Sequence, residues 1–220
     1  MGIDLGGEAP LDSSNPKGTM AKRILGIVGS YRKNGVVDRL VTETLAGAEA
    51  SGAATKKIYL TDAHIEFCRN CRQCTQEPGT EPGQCVLADD FKSILDEWRT
   101  CDGLVIGAPV KFFNVTAVTR RFMERLACFA YWPWGQNGPS MRSKNKDKKA
   151  VLITAAAMPS VMIRPFTGAP RALRLIAETM GAKPIKSIFV GLAAGKEHAA
   201  PPEKAMRKAR AAGLQLAAGR

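Results

Sequence analysis

Short unbroken apolar runs alternate along the chain with longer stretches of helical spacing. RILGIVGS (23–30) is an apolar run ending in Gly-Ser, and after a polar loop VVDRLVTETLAGAEASG (36–52) repeats Val37, Leu40, Val41 and Leu45 at helical spacing. TKKIYL (55–60) is a second, more polar strand candidate. ADDFKSILDEWRTC (88–101) predicts a helix with Asp89 or Asp90 placed to cap it. In DGLVIGAPV (102–110) Leu104 to Ile106 show no alternation, as expected of a strand covered on both faces. NVTAVTRRFMERLACF (114–129) predicts the next helix, KKAVLITAAA (148–157) another buried strand and GAPRALRLIAETMGA (168–182) another helix. KPIKSIFVG (183–191) is the fifth strand, and PPEKAMRKARAAGLQLAAG (201–219) closes the chain as a helix with Pro near its first turn.

Five strands alternating with five helices require long right-handed crossovers, hence a parallel sheet with helices on both faces. The lengths match an α/β, flavodoxin-like, doubly wound five-stranded sheet better than a six-stranded dinucleotide fold. Residues 1–20, rich in Gly, Pro, Ser and Asp, read as a flexible extension. Residues 21–220 read as one domain, with a cysteine-rich insertion at 64–88.

In such sheets a ligand sits beyond the carboxyl ends of the strands, where strand order reverses. Loops 29–36, 108–115 and 154–160 meet there. The first, GSYRKNGV, runs from a strand into a helix. Its amides and the positive helix end can hold a phosphate, with Ser30, Arg32 and Asn34 as further donors and Gly35 and Val36 at the turn itself. In GAPVKFFNVT (107–116), Pro109 stops the ladder. The segment Val110, Lys111, Phe112, Phe113 and Asn114 then places two aromatic rings and backbone amides at the sheet edge, an arrangement suited to a flat heteroaromatic ring; core burial of one ring is the competing expectation. The third loop, TAAAMPS, includes Ala155 and Ala156, small enough for a ring to approach the backbone, although helix-to-sheet packing explains them equally well.

The formal net charge of +12 permits attraction to phosphates and acidic partners. Much of it lies in RSKNKDKK (142–149) and in the last helix, neither interleaved with aromatics, so both read as solvated basic faces and no nucleic-acid partner is expected. The opening residues lack the pattern of a secretory signal and no apolar run reaches membrane-spanning length. A cytoplasmic location without a membrane partner is therefore expected. His64 and His198 stand without a serine or carboxylate constellation, which removes support for a hydrolytic triad.

In a reducing compartment the four cysteines of FCRNCRQCTQEPGTEPGQCV (67–86) are poor disulfide candidates. Cys68, Cys71 and Cys74 form a compact triple on one loop, and Cys85 can complete a set of four. A triple and a singlet suit an iron-sulfur cluster better than the two pairs a zinc site generally uses, with metal-free thiols a third reading. Cys101 and Cys128 read as buried small hydrophobes.

GSYRKNGVVDRLVTETLAGAEASGA, the cysteine segment with CVLADDF, and CDGLVIGAPVKFFNVTAVTRRFMERL together resemble the NADPH-dependent FMN reductase family, in particular its iron-sulfur flavoprotein branch, over roughly residues 23–192. The resemblance implies FMN, with its phosphate near Ser30, Arg32 and Asn34 and its ring near Pro109 to Asn114. It also implies a 4Fe-4S cluster on Cys68, Cys71, Cys74 and Cys85, although relatives that only reduce flavin keep similar cysteines without one. The chain departs from the family pattern in four places. Val36 and Val37 stand where a hydroxyl residue is common, Tyr31 where Pro is common, and Lys111 and Phe113 where an aromatic and a glycine are usual.

The expected activity is an NAD(P)H-dependent FMN oxidoreductase. Reduced nicotinamide, NADPH or NADH, donates, and FMN passes electrons to the cluster or to a small acceptor. Arg32, Lys111 and loop 142–149 are candidates for drawing in the donor. YWPWGQNGP (131–139) is expected to cover the flavin, form a subunit interface or pack as a surface loop, and a homodimer or homotetramer is implied by the resemblance. A non-catalytic flavin electron carrier or redox sensor, and a zinc-binding scaffold without flavin, are the rival readings.

Overall fold

The structure, a computed structural model, describes residues 21–195 and 199–218; the expected N-terminal extension and His198 lie outside the described residues. The elements are β1 (Arg23–Val28), α1 (Val36–Glu49), β2 (Ala54–Tyr59), α2 (Asp90–Arg99), β3 (Gly103–Pro109), α3 (Ala117–Arg125), β4 (Ala130–Tyr131), β5 (Ser140–Met141), β6 (Lys148–Ala155), α4 (Ser160–Ile163), α5 (Ala169–Thr179), β7 (Ala182–Val190) and α6 (Glu203–Ala217). Five strands form one parallel sheet in the order β2-β1-β3-β6-β7, while β4 and β5 pair antiparallel outside it. The doubly wound α/β arrangement expected from the chain's periodicity is therefore present. The four-residue helix α4 and the small β4-β5 ribbon had no periodic signal.

Strand alternation sorts the core into two layers. Leu25, Ile27, Leu104, Ile106 and Leu152 face α2, α3 and α5, with Phe91, Phe122 and Leu173 packed among them. Ile24, Val28, Val105, Val151 and Ile153 face the opposite way, against α1 and α6. Those two helices approach so closely that a Cβ on Gly213 would stand 1.9 Å from the Thr44 carbonyl oxygen, and one on Gly47 2.2 Å from that of Arg210.

Both sheet edges are managed. β2 carries Lys56 and Lys57 and is half-exposed. On β7, Pro184 sits where the ladder to β6 slips between Ala150 and Val151, at the kind of irregularity where a missing N–H is tolerated. Among the described residues no helix is long and apolar enough to cross a membrane.

Candidate functional site

β1 and β3 are neighbours whose onward connections diverge, so the strand order reverses between them and their loops part to leave a cleft. Gly29 starts the first loop. Its N–H donates to the Gly107 carbonyl, and its own carbonyl accepts from the Thr116 hydroxyl at 2.6 Å. Thr116 is also the N-cap of α3, so one buried hydroxyl ties the first loop to the second. Only glycine fits at 29, because a Cβ there would lie 1.9 Å from Thr119 Oγ1.

The loop then turns through Asn34, whose φ of 60° lies in the left-handed region that asparagine tolerates. The buried Asp38 carboxylate accepts the Asn34 N–H at 2.6 Å and is itself held by Lys57 Nζ at 3.0 Å and the Tyr59 hydroxyl at 3.1 Å. This is a variant of the capping box, with the acid of the first turn reaching back to the loop. The N-cap of α1 is Gly35, which has no side chain to cap with. The N–H groups of Val36, Val37 and Asp38 consequently make no hydrogen bond among the described residues, beside the buried Ser30 hydroxyl and the exposed Arg32.

The cleft is lined by Ser30, Tyr31, Arg32, Gly35, Val36 and Val37 on one side, and by Pro109, Val110, Lys111 and Ala155 to Ala157 on the other. Its floor is drawn tight by Val110 N–H to the Ala155 carbonyl and Ala156 N–H to the Val190 carbonyl. Nine expected residues thus meet in one cleft: Ser30, Arg32, Gly35, Val36, Pro109, Val110, Lys111, Ala155 and Ala156. Ala193, Ala194 and Ala199, from the loop after β7, also line it and carry no chemical signal in the sequence. Ala193 is held in place by its N–H on the Ala156 carbonyl.

Four expected residues do not line the cleft. Asn34 shapes the first loop through its backbone, as described. Phe112 and Phe113 occupy the two central positions of a tight turn closed by Lys111 N–H to Asn114 O at 2.7 Å and by the reciprocal bond at 2.9 Å. Both have positive φ, 44° and 60°, as a two-residue hairpin turn of this hand requires. The strand–turn geometry points both rings outward. Phe112 is fully exposed and Phe113 more than half exposed, so neither is a core residue. An L-residue in this region is strained by about 1–2 kcal/mol. Phe113→Gly is accordingly expected to stabilise the chain by about 0.5–1 kcal/mol once the greater freedom of glycine in the unfolded chain is counted. Urea denaturation would measure it, and a loss of stability would show that the Phe113 ring makes contacts that matter.

The cysteine segment forms a second site. Its entry is pinned at Glu66, whose N–H donates to Asp89 and whose carbonyl accepts from Arg125. Asp89 also caps α2 by accepting the Phe91 N–H, as its place in the sequence suggested. Asn70 and Arg72 adopt left-handed backbone, which bends the loop around its cysteines. Cys68, Cys71, Cys74 and Cys85 all line one cavity of about 60 Å³. Burial, then the neighbouring Cys85, Cys68 and Cys71, push the Cys74 thiol up to about 11. Among the described residues no set of three or more His, Cys, Asp or Glu side chains is gathered as a single metal ion would need. Cys101 and Cys128 are buried, as expected; burial, with Cys74 and Cys85 nearby, raises the Cys128 thiol to about 12.

The aromatic loop 131–139 packs on this cysteine segment and does not line the cleft. Arg72 is sandwiched between Trp132 and Trp134, 3.8 and 4.1 Å from their ring centres, and donates to the Trp132 carbonyl at 2.6 Å. Trp132 N–H returns a bond to Thr75 O, and Arg142 reaches both Cys74 O and Cys128 O. The basic stretch 142–149 enters β6 at its amino end, the rim opposite the cleft, where Lys148 lies over Trp98 and donates to its carbonyl. Of the basic residues expected to serve the cleft, Arg32 and Lys111 line it.

Comparisons with known proteins give a family and a fold. The family model described as NADPH-dependent FMN reductase matches residues 22–197. An iron-sulfur flavoprotein of Methanocaldococcus jannaschii is 34% identical over 103 residues, 47% of this chain and 51% of that protein. One from Archaeoglobus fulgidus is 28% identical over 111 residues, 50% of this chain and 48% of that protein. The chain thus spans about half the length of the curated relatives it matches. Among solved structures, an NAD(P)H:quinone oxidoreductase from Methanothermobacter marburgensis superposes with a TM-score of 0.66 at 16% identity, covering 90% of this chain and all of that one, a likeness of fold.

Proposed function

The chain belongs to the NADPH-dependent FMN reductase family, and from that premise we propose that it is an FMN-dependent oxidoreductase taking electrons from a reduced nicotinamide. The observation that carries this reading is the cleft itself. At the reversal of strand order, uncapped α1 amides and the Ser30 hydroxyl face a wall of alanines. That donor set fits a phosphate monoester and the wall fits a flat ring. The amides of Val36, Val37 and Asp38 would hold the phosphate, with Ser30 and Arg32 beside them. This takes over from the hydroxyl side chain that Val36 and Val37 lack. Pro109, Val110, Ala155 and Ala156 would flank the ring, and Lys111 at the mouth would favour an anionic donor.

When bound, FMN supplies hydride acceptance and release of electrons singly or in pairs. The chain's own part is to orient the ring against the alanine wall and keep the phosphate end neutralised. Asp38 holds the loop in shape without facing the phosphate as a free charge, because Lys57 and Tyr59 engage it.

The finer reading is that Cys68, Cys71, Cys74 and Cys85 hold a 4Fe-4S cluster as one-electron acceptor. Four thiols and no other ligand type around one cavity, spaced as a compact triple and a singlet, support it. An absorption spectrum of anaerobically purified protein tests both cofactors. Flavin bands with a broad shoulder are expected, the bands bleaching on NADPH addition, and Cys71→Ala should erase the shoulder while leaving the bands. A colourless protein that takes up no added FMN overturns the proposal.

A further inference from the structure

The buried side-chain nitrogen and oxygen atoms without a hydrogen-bond partner among the described residues are the Nε atoms of Arg72, Arg121 and Arg125. All three arginines stand beside the cysteine segment. Arg72 lines its cavity, Arg121 lies over the ring of Phe67, next to Cys68, and Arg125 donates to Cys85.

Arg125 is the best defined. Its side chain is 1% exposed and that of its partner Asp89 is fully buried. Nη1 donates to Asp89 and to the Glu66 carbonyl, and Nη2 donates to Asp89 Oδ1 at 3.1 Å and to Cys85 Sγ at 3.3 Å. The Phe91 ring lies 4.7 Å from the guanidinium carbon. The fork is held on several sides, so the N–H aimed at sulfur cannot swing away. A charged donor fixed on a ligand sulfur favours the state in which that sulfur carries more negative charge.

We propose that Arg125 is a positioning residue for the four-cysteine cradle: it orients the Cys85 sulfur and, by donating to it, makes a cluster held there easier to reduce by one electron. The proposal rests on the cluster reading above. The electron comes from the reduced flavin of that reading, and the added negative charge, spread over the cluster sulfurs, meets the Arg125 N–H without any proton changing place.

The test compares wild type, Arg125→Lys, and the double variant Arg125→Met with Asp89→Asn, each loaded anaerobically with ferric iron and sulfide in the presence of a thiol reductant. Lysine keeps a charge for Asp89 without the guanidinium fork, and the double variant leaves no unpaired buried charge if lysine is not tolerated. Iron and acid-labile sulfide per chain are counted, and the midpoint potential is read by optical titration with mediators. Equal cluster content with a lower midpoint in the variants is expected. This would leave on the order of tenfold less reduced cluster at a fixed ambient potential, the scale of one charge-assisted hydrogen bond. An unchanged midpoint at equal content overturns the role of Arg125 and leaves the cluster reading intact. Wild type that takes up neither iron nor sulfide overturns the cluster reading, and this proposal with it.

Discussion

Arg125→Met is expected to destabilise the chain by about 3–5 kcal/mol, because it strands the buried Asp89 carboxylate without its counter-charge. The effect should be much smaller in the double variant with Asp89→Asn, in which no charge is left alone. A sign in pH accompanies it. Burial pushes the Asp89 carboxyl up, but the Arg125 guanidinium and the Glu66 and Phe91 amides more than offset this and hold it below the usual carboxylate range. In the wild type its contribution to stability is complete above the ordinary carboxylate pKa of about 4 and is lost as pH falls through the lower folded value. In Arg125→Met the guanidinium is gone and burial acts with less opposition, so protonation relieves the cost. The stability gap between the two proteins should therefore narrow as pH is lowered from 7 toward 4. Urea unfolding at several pH values measures it, and a gap that widens on acidification would contradict this account of the pair.

The second large effect concerns the cleft. Ala157 is exposed and lines it, so its methyl group can be replaced by an indole without disturbing the core. Ala157→Trp is expected to fill the space beside Ala155 and Ala156 and weaken FMN binding by at least about 100-fold, some 2.7 kcal/mol, while the thermal unfolding midpoint moves little. Fluorescence titration of FMN against both proteins gives the ratio. Equal affinity in a folded variant would mean that the ring does not lie against this wall, and the proposed pose would have to be abandoned.

Much of the architecture was legible because it rests on local periodicity. The buried runs at 102–110 and 148–157, and the helical spacing of Val37, Leu40, Val41 and Leu45, each report which face of an element is covered. Alternating strands and helices imply a parallel sheet, and the expected flavodoxin-like order pointed to the loops at the cleft, whereas the reversal itself is seen only in the observed order β2-β1-β3-β6-β7. Phe112 and Phe113 were legible as unusual but not as to where they point. Two adjacent left-handed residues have no signature in a segment without glycine, and the turn that imposes them is closed by backbone atoms alone. Ala193, Ala194 and Ala199 were invisible for another reason, since alanine signals neither a ligand nor its absence.

By itself the sequence determined the order of the main strands and helices, the long crossovers that make their sheet parallel, and the spacing of four cysteines, because each is read from residues near one another along the chain. Only the tertiary structure decided that Arg125 reaches Cys85, that Arg72 is clamped by Trp132 and Trp134, and that loop 131–139 serves the cysteine segment and not the cleft. Those partners lie 40 to 62 residues apart. Contacts of that separation are set by how helices and loops pack over the sheet, which periodicity and spacing do not encode.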